Sequence, residues 1–265
     1  MISYKSPISV LIPCYRCSET IERAVLSVLN QTLPVSEIIL IYDFSGDDTL
    51  SLLFQLQSKY KFIDIIVIPQ NTNQGPGVAR NIGWSIATQP WIAFLDSDDI
   101  WDCRKIEIQY QWMLNFPNIS LACHQTSVWN HSLIHRNYSE NSSDKLLSPI
   151  KLLFKNSIPT RSVILRRSIS FRFGETRNAE DYKLWLDIAF SGLEMRSLSS
   201  ILAYSFRPDS SSGGLSGNLI AQEIQELKCF LRLFQIGNIG FLLLLTSILF
   251  STIKFFKRLF FYYSN

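Results

Sequence analysis

The stretch from Trp91 to Trp101 constrains the fold most, because an apolar run of strand length ends abruptly in three acidic residues. A continuous apolar run is typical of a strand buried on both faces of a parallel sheet. Ligands of open α/β sheets bind beyond the carboxyl ends of the strands, where Asp96, Asp98 and Asp99 would lie. Mg²⁺ binds one or two carboxylates together with substrate phosphates, so the stretch predicts a metal–diphosphate site. The alternative is that these acids cap a following helix, since Asp is a good N-cap.

Strands and helices alternate through the first hundred residues. Apolar runs predict strands at 8–13, 37–42, 62–68 and 91–95, and helical spacing predicts helices at 19–30, 49–60 and 75–87. This order predicts an α/β fold, with a mostly parallel sheet flanked by helices. Farther along, we expect helices at 105–115, near 150 and from 178, and strands at 120–129, 161–166 and 201–206.

The last fifty residues differ in character from the rest of the chain. A Ser/Gly-rich linker at 210–217 predicts a catalytic domain over 1–215 and a helical, membrane-associating segment over 216–265. Residues 233–253 carry no charge, a length that could span a bilayer, but Lys254, Lys257 and Arg258 would then lie on the wrong side. The sequence favours a helix or helical hairpin in the cytoplasmic membrane interface. A spanning helix and a helix packed against protein remain alternatives.

Charge and cysteine usage narrow the function further. The net charge of +3 gives no support for a nucleic-acid partner. The N-terminus lacks a charged region followed by an apolar one, so we expect no signal peptide and a cytoplasmic catalytic part. Cys14 and Cys17 have metal or redox spacing without a second pair, which favours reduced thiols over a zinc site. We expect His124, His131 and His135 to be ordinary polar residues.

Five short motifs follow one another in the chain. They are residues 8–15, 41–49 with Asp43, 73–83 with Arg80, 96–99, and 178–185 with its Glu-Asp pair. In this order they resemble family 2 glycosyltransferases of the GT-A fold, which are inverting enzymes that use a nucleotide-sugar donor. The resemblance covers residues 6–210.

The resemblance implies a nucleotide pocket at the first three motifs. Pro13 and Tyr15 would form one wall, Asp43 would accept a hydrogen bond from the nucleobase, and Arg80 would lie near the base or phosphates. A carboxylate can accept the imide N–H of uracil, so a UDP-sugar is the expected donor. Tyr42 and Phe44 depart from the acid and glycine of the family pattern, and a turn or cap role for Asp43 stays open.

The resemblance also implies the reacting part of the site. Asp96 and Ser97 would contact the donor, and Asp98 would be the chief ligand of Mn²⁺ or Mg²⁺, a Lewis acid that stabilises the leaving diphosphate. Arg207 would touch that diphosphate. In the Glu180–Asp181 pair, Glu180 would contact the nucleotide-sugar, and Asp181 would be the general base for the acceptor hydroxyl.

The predicted position of Asp181 near a helix N-terminus would make it a weak base. With Asn178 as the N-cap, Asp181 is the third helical residue, where the helix dipole favours its charged form. Such a weak base accepts the proton late, once the hydroxyl has begun to bond to the sugar. The alternative is that Asn178 and Asp181 form a capping pair.

These features predict a membrane-associated glycosyltransferase that acts on a glycan or lipid-linked acceptor in surface polysaccharide synthesis. One alternative is a sugar nucleotidyltransferase, although the Gly- and Lys-containing loop expected after the first strand is missing beyond Pro13. The other is a non-catalytic relative that binds nucleotide or lipid, which the altered Tyr42 and Phe44 keep open.

Overall fold

The first half of the chain forms four parallel strands joined by helices. The computed structural model describes residues 5–130, 143–206 and 219–264, with side chains as far as residue 260. The elements of this half are β1 (Ser6–Cys14), α1 (Ile21–Leu29), β2 (Val35–Tyr42), α2 (Thr49–Lys59), β3 (Asp64–Pro69), α3 (Pro76–Ile86) and β4 (Trp91–Phe94). The strands pair in the order β3-β2-β1-β4, all parallel, which confirms the predicted α/β unit.

The second half extends the same sheet with mixed strand directions. Its elements are β5 (Ile100–Trp101), α4 (Lys105–Met113), β6 (Ile119–Val128), β7 (Asp144–Leu146), α5 (Pro149–Phe154), β8 (Ile164–Arg166), α6 (Glu180–Phe190) and β9 (Glu194–Ser205). The order continues β4-β8-β6-β9-β5, with β7 also beside β9. β6 and β9 are parallel, whereas β8 is antiparallel to both of its neighbours. The sheet is therefore mixed, and only its first half is parallel throughout.

Alternation along the strands divides the core between the two faces of the sheet. Leu11 of β1 packs in one cluster with Trp84 of α3 and Trp185 of α6. Its neighbours Val10 and Ile12 pack in the other cluster, against residues of α1, α2 and α4. Because successive side chains of a strand point to opposite faces, a single apolar run supplies both layers.

Several predicted boundaries were wrong. Strands β5 and β7 were not predicted because two and three residues are too short to show a period, and β9 begins at Glu194 rather than at 201. The N-cap position of α6 is Ala179, not Asn178, and it makes no side-chain capping bond.

The C-terminal segment is a helical hairpin that packs on the catalytic domain. α7 (Leu219–Gln235) and α8 (Phe241–Ser264) are joined by a turn in which Gly237 has φ +78°. Phe230 of α7 meets Tyr182 of α6 edge-on, and Phe250 of α8 meets Phe154 of α5. Within the residues described, no helix is both long and apolar enough to cross a membrane.

Two basic residues of the tail form ion pairs within the hairpin, which the sequence analysis did not predict. Lys254 donates to Glu226 at 3.0 Å, and Arg258 donates to Glu223 at 3.2 Å. Both glutamates are buried on α7. Two of the three basic residues near the C-terminus therefore hold the hairpin together, while Lys257 stays exposed.

Candidate active site

The predicted nucleotide residues meet at one edge of the sheet. Tyr15, Asp43 and Asp96 follow β1, β2 and β4, and the loop that ends at Gly75 follows β3. The carboxyl ends of these parallel strands share an edge, which is where ligands of such sheets bind. The first four motifs thus come together as the strand order requires.

Asp43 organises the loop that leads into α3. Its Oδ1 accepts the main-chain N–H of Gln74, and its Oδ2 accepts that of Gly75, both at 2.8 Å. The side chain of Asn73 also donates to the Asp43 carbonyl oxygen. Gly75 has φ +90°, a conformation that glycine adopts without a steric cost. Asp43 is therefore a loop-shaping residue, and each of its oxygens keeps a second acceptor position.

Aromatic side chains surround this edge. Tyr15 is exposed just beyond β1, with the Arg16 guanidinium 5.4 Å from its ring centroid. Phe44 is half exposed, and its ring packs edge-on against Tyr42. The Tyr42 hydroxyl accepts the Gly46 N–H at 3.0 Å, so the two departures from the family pattern stabilise the loop after β2. Pro13, near the end of β1, is half-buried.

The acidic loop after β4 separates its carboxylates. Asp96 accepts a hydrogen bond from the buried Arg80, and Asp99 accepts one from Arg161 at 2.8 Å. Burial, and after it the nearby Asp96, raise the pKa of Asp99 to about 7. Asp98 is exposed, its main-chain oxygen accepting from Arg23, and Ser97 is half-buried beside it. Asp98 is the carboxylate of this loop that faces solvent.

Arg80 joins the acidic loop to the Glu-Asp motif. Its Nη1 donates to Glu180 Oε1 at 3.0 Å, while its other terminal nitrogen donates to Asp96. Burial lowers the pKa of the guanidinium, but Asp96 and Glu180 raise it by more, so the pKa lies above its ordinary value. For Glu180, burial and then Asp181 raise the pKa to about 7. Arg80 is thus a buried, permanently charged link between two acidic motifs.

Asp181 lies in the first turn of α6, at its second residue. Its Oδ2 accepts the Thr160 hydroxyl at 3.1 Å, and its Oδ1 accepts the Tyr182 N–H at 2.6 Å. Burial raises the pKa of this carboxyl more than Arg80 and Thr160 lower it. Asp181 is therefore a stronger base than its place near the helix N-terminus implies, and no capping pair with Asn178 forms.

The family model for glycosyl transferase family 2 matches residues 9–174. The chain belongs to that family. This family 2 glycosyltransferase is 31% identical over 223 residues to the UDP-Glc:alpha-D-GlcNAc-diphosphoundecaprenol beta-1,3-glucosyltransferase WfaP of Escherichia coli, and the alignment covers 83% of each chain. Membership excludes the nucleotidyltransferase alternative.

Solved structures share the fold of this glycosyltransferase. S. aureus TarS 1–349, in complex with UDP-GlcNAc, is similar at a TM-score of 0.66 and 18% identity, over 84% of this chain and 66% of that one. The mannosyltransferase PcManGT of Pyrobaculum calidifontis, in complex with GDP-Man and Mn²⁺, gives 0.71 and 15%, over 95% and 70%. The GT-A architecture predicted from the motifs is therefore confirmed.

Two residues of the glycosyltransferase site were missed by the sequence analysis. Thr160 and Arg161, which bind Asp181 and Asp99, lie in a 3₁₀ turn, Thr160–Ser162, which overlaps the start of the strand predicted at 161–166. The preceding Pro159 was the available sign of a turn. Arg207 lies outside the described residues, as do His131, His135 and the predicted 210–217 linker.

The cysteines and the remaining histidine carry no site in the described part of the chain. Cys14 and Cys17 are free and buried. His124 is also buried, and burial, followed by the charge of Lys105, lowers its pKa to about 3. Across residues 5–130, 143–206 and 219–260, no three His, Cys, Asp or Glu side chains are grouped to hold a metal ion.

Proposed function

We propose that this enzyme transfers one sugar from a UDP-sugar to a hydroxyl group of a lipid-linked diphosphate acceptor, with inversion at the anomeric carbon. The connection from Asp181 through its neighbour Glu180 and Arg80 to Asp96 carries the proposal. Through these ion pairs, the motif with the proposed base is linked directly to the acidic loop. The donor bond that breaks and the hydroxyl that attacks must share one space.

Asp181 would remove the acceptor proton. Its raised pKa brings it nearer to the working pH of a general base than an exposed aspartate. The hydroxyl oxygen bonds to the anomeric carbon while the bond from that carbon to the diphosphate oxygen breaks. The proton passes to Asp181, and the bonding electrons leave with the nucleoside diphosphate.

The residues of the acidic loop fit a divalent cation shared with the donor. Arg80 pairs with Asp96, and Arg161 pairs with Asp99. Asp98 is exposed, which suits Mn²⁺ or Mg²⁺ completed by donor phosphates rather than by a protein cage. When bound, the cation would stabilise charge on the leaving diphosphate.

Two observations support a UDP-sugar as the donor: the ligands named for the relatives, and the residues at the carboxyl edge of the sheet. WfaP is named for UDP-Glc, and TarS 1–349 was solved with UDP-GlcNAc. In this chain Pro13, Tyr15 and Asp43 would surround the nucleobase, and Ser97 and Asp96 would contact the ribose side. Arg207, which lies outside the described residues, would contact the diphosphate.

The proposals of a lipid-linked acceptor and of membrane association depend on a relative and on the C-terminal helices. The acceptor in WfaP's name is a diphosphoundecaprenol lipid, which keeps its carrier in the bilayer. The outer face of α8 exposes apolar side chains along its length: Phe241, Leu242, Leu245, Leu249, Ile253, Phe256 and Phe260. We propose that this face lies in the cytoplasmic membrane interface, with residues 1–215 as catalytic domain and 216–265 as anchor.

Thermal stabilisation by nucleotides tests the donor site. UDP, GDP and dTDP would each be added with Mn²⁺ or with EDTA; a nucleotide at ~100 times its Kd stabilises by about 2.7 kcal/mol. We expect a Mn²⁺-dependent shift with UDP that Asp98→Ala abolishes. Asp64→Ala, at an exposed aspartate that begins β3, is the matched control. A shift with GDP alone would overturn the UDP assignment.

Sugar transfer tests the role of the base. With a synthetic lipid diphosphate acceptor, Asp181→Asn should lose transfer and keep the UDP shift. If Asp181→Asn keeps full activity, Asp181 is not the base. If the wild type binds UDP and transfers no sugar from any UDP-sugar, the non-catalytic alternative gains the support.

A further inference from the structure

The turn from Pro159 to Ser162 lies between the acidic loop and the Glu-Asp motif. Ser162 donates through its main-chain N–H and its hydroxyl to the Pro159 carbonyl oxygen, at 2.9 and 2.7 Å. The Trp101 indole N–H donates to the Arg161 carbonyl oxygen, and the buried Gln109 donates to that of Ser162. The turn is therefore fixed by bonds to β5 and α4 as well as by its own.

Adjacent side chains of this turn reach two different motifs. Thr160 donates its hydroxyl to Asp181 at 3.1 Å, and Arg161 donates to Asp99 at 2.8 Å. Thr160 is buried, and the Arg161 side chain is 12% exposed. One rigid segment thus binds both the proposed base and the acidic loop that would hold the donor diphosphate.

We propose that Thr160 is a positioning residue for the catalytic base: its hydroxyl holds the Asp181 carboxylate in the orientation that receives the acceptor proton. The inference rests on the role of Asp181 proposed above. Thr160 itself touches no reacting atom. It acts by fixing the torsion of a neighbouring carboxylate.

The two hydrogen bonds on Asp181 fix the plane of its carboxylate. The Tyr182 N–H occupies one position on Oδ1, and the Thr160 hydroxyl occupies one on Oδ2. A carboxylate has about four acceptor positions, so each oxygen keeps one. Without the Thr160 bond, the carboxylate could rotate about its terminal torsion, which is broad and soft.

The charged groups around Asp181 set the direction of the pH effect. Arg80 of α3 lowers the pKa of this carboxyl, Asp96 of the acidic loop raises it, and Glu180 lies beside it on α6. The Thr160 hydroxyl also lowers that pKa because it donates to the charged form. Removing only the hydroxyl leaves the three charges in place, so the pKa of the base should rise.

Thr160→Val, which keeps the side-chain shape, tests the proposal in the full chain. We expect kcat to fall at least about tenfold, as for loss of a hydrogen bond to a charged group, and the acidic limb of the kcat profile to move to higher pH. UDP stabilisation should stay at the wild-type value. Thr160→Ser, which keeps the hydroxyl, should have the wild-type kcat and the wild-type acidic limb of the pH profile.

The matched control is Thr32→Val. The exposed Thr32 donates to Glu107 at 2.9 Å, a similar threonine–carboxylate pair far from the motifs, and its loss should leave the profile unchanged. An unmoved acidic limb in Thr160→Val, or a Thr160→Ser enzyme as impaired as Thr160→Val, would overturn the inference. If Asp181→Asn is inactive while Thr160→Val matches the wild type, only the inference fails. An active Asp181→Asn enzyme refutes the proposed base itself.

Discussion

Arg80 and Glu180 form a buried ion pair between α3 and α6, with Nη1 3.0 Å from Oε1 and side chains that are 5% and 11% exposed. Their positions are one hundred residues apart in the chain. Since Arg80 also donates to Asp96, one side chain connects the third, fourth and fifth motifs. Phe173, whose ring centroid lies 5.2 Å from the guanidinium carbon, covers this link from the side of the core.

Arg80→Met should strongly destabilise the fold. It leaves the Glu180 carboxylate buried without its cation, and breaking a buried pair from one side costs about 3–5 kcal/mol. Arg104→Met removes an exposed ion pair with Glu107 and should cost at most about 1 kcal/mol. Urea unfolding of both variants measures the difference. Equal losses would mean that Arg80 and Glu180 contribute no more than a surface pair.

Gly77→Ala should disturb the same region through sterics alone. A Cβ at this position would lie 2.4 Å from the Gly174 carbonyl oxygen and 2.8 Å from Glu180 Cγ. Overpacking of this kind costs about 1–3 kcal/mol, and it pushes Glu180 away from Arg80, so sugar transfer should fall as well. Gly240→Ala meets no atom within 4 Å and is the control. A fully active and stable Gly77→Ala enzyme would show that α3 shifts without consequence.

The sequence predicted the parallel half of the fold because period and turn chemistry are local there. Ile8 to Pro13 is apolar except for Ser9, Trp91 to Leu95 is apolar throughout, and the two runs lead to Tyr15 and Asp96. Strand order then brings Tyr15, Asp43 and Asp96 to one edge without any knowledge of side-chain packing.

Contacts between residues that are far apart in the sequence could not be predicted from local patterns. Arg161 and Asp99 are 62 residues apart, and no spacing rule pairs them. The sequence did not predict that Lys254 and Arg258 pair with Glu226 and Glu223, because nothing local shows that these glutamates face them across a hairpin. Strand β5 has two residues, too few for any period to be detected.

Lys105→Met should stabilise the protein. Lys105 is fully buried, its Nζ makes no hydrogen bond among the described residues, and burial lowers its pKa well below the ordinary 10.5. A buried unsatisfied polar group costs about 1–3 kcal/mol, so the free energy of unfolding should rise by that order at pH 7. Lys61→Met, at an exposed lysine, should change it by less than about 0.5 kcal/mol.

The gain from Lys105→Met should also depend on pH. Between the lowered pKa of folded Lys105 and the ordinary 10.5, the unfolded chain binds a proton that the folded chain does not, so wild-type stability falls as the pH falls through this range. The variant lacks this group, and its advantage should be larger at pH 6 than at pH 10. The Nζ lies 3.8 Å from the Trp101 ring centroid. A destabilised variant would mean that a protonated Lys105 is held by that ring.

Leu249→Glu combined with Phe256→Glu should release the enzyme from membranes. Both side chains are exposed on α8, at 63% and 61%, and burying each in lipid contributes about 1.5–3 kcal/mol. Losing both should weaken binding to vesicles that contain anionic phospholipid by about 100-fold or more, in a sedimentation assay.

Phe62→Glu, at a phenylalanine just before β3 that is 68% exposed, is the control and should bind vesicles as the wild type does. The double variant should keep its UDP shift, because α8 packs chiefly against α7 and α5. Undiminished vesicle binding by the double variant would show that this face of α8 is not the membrane surface, and the hairpin would then be only a support for α5 and α6.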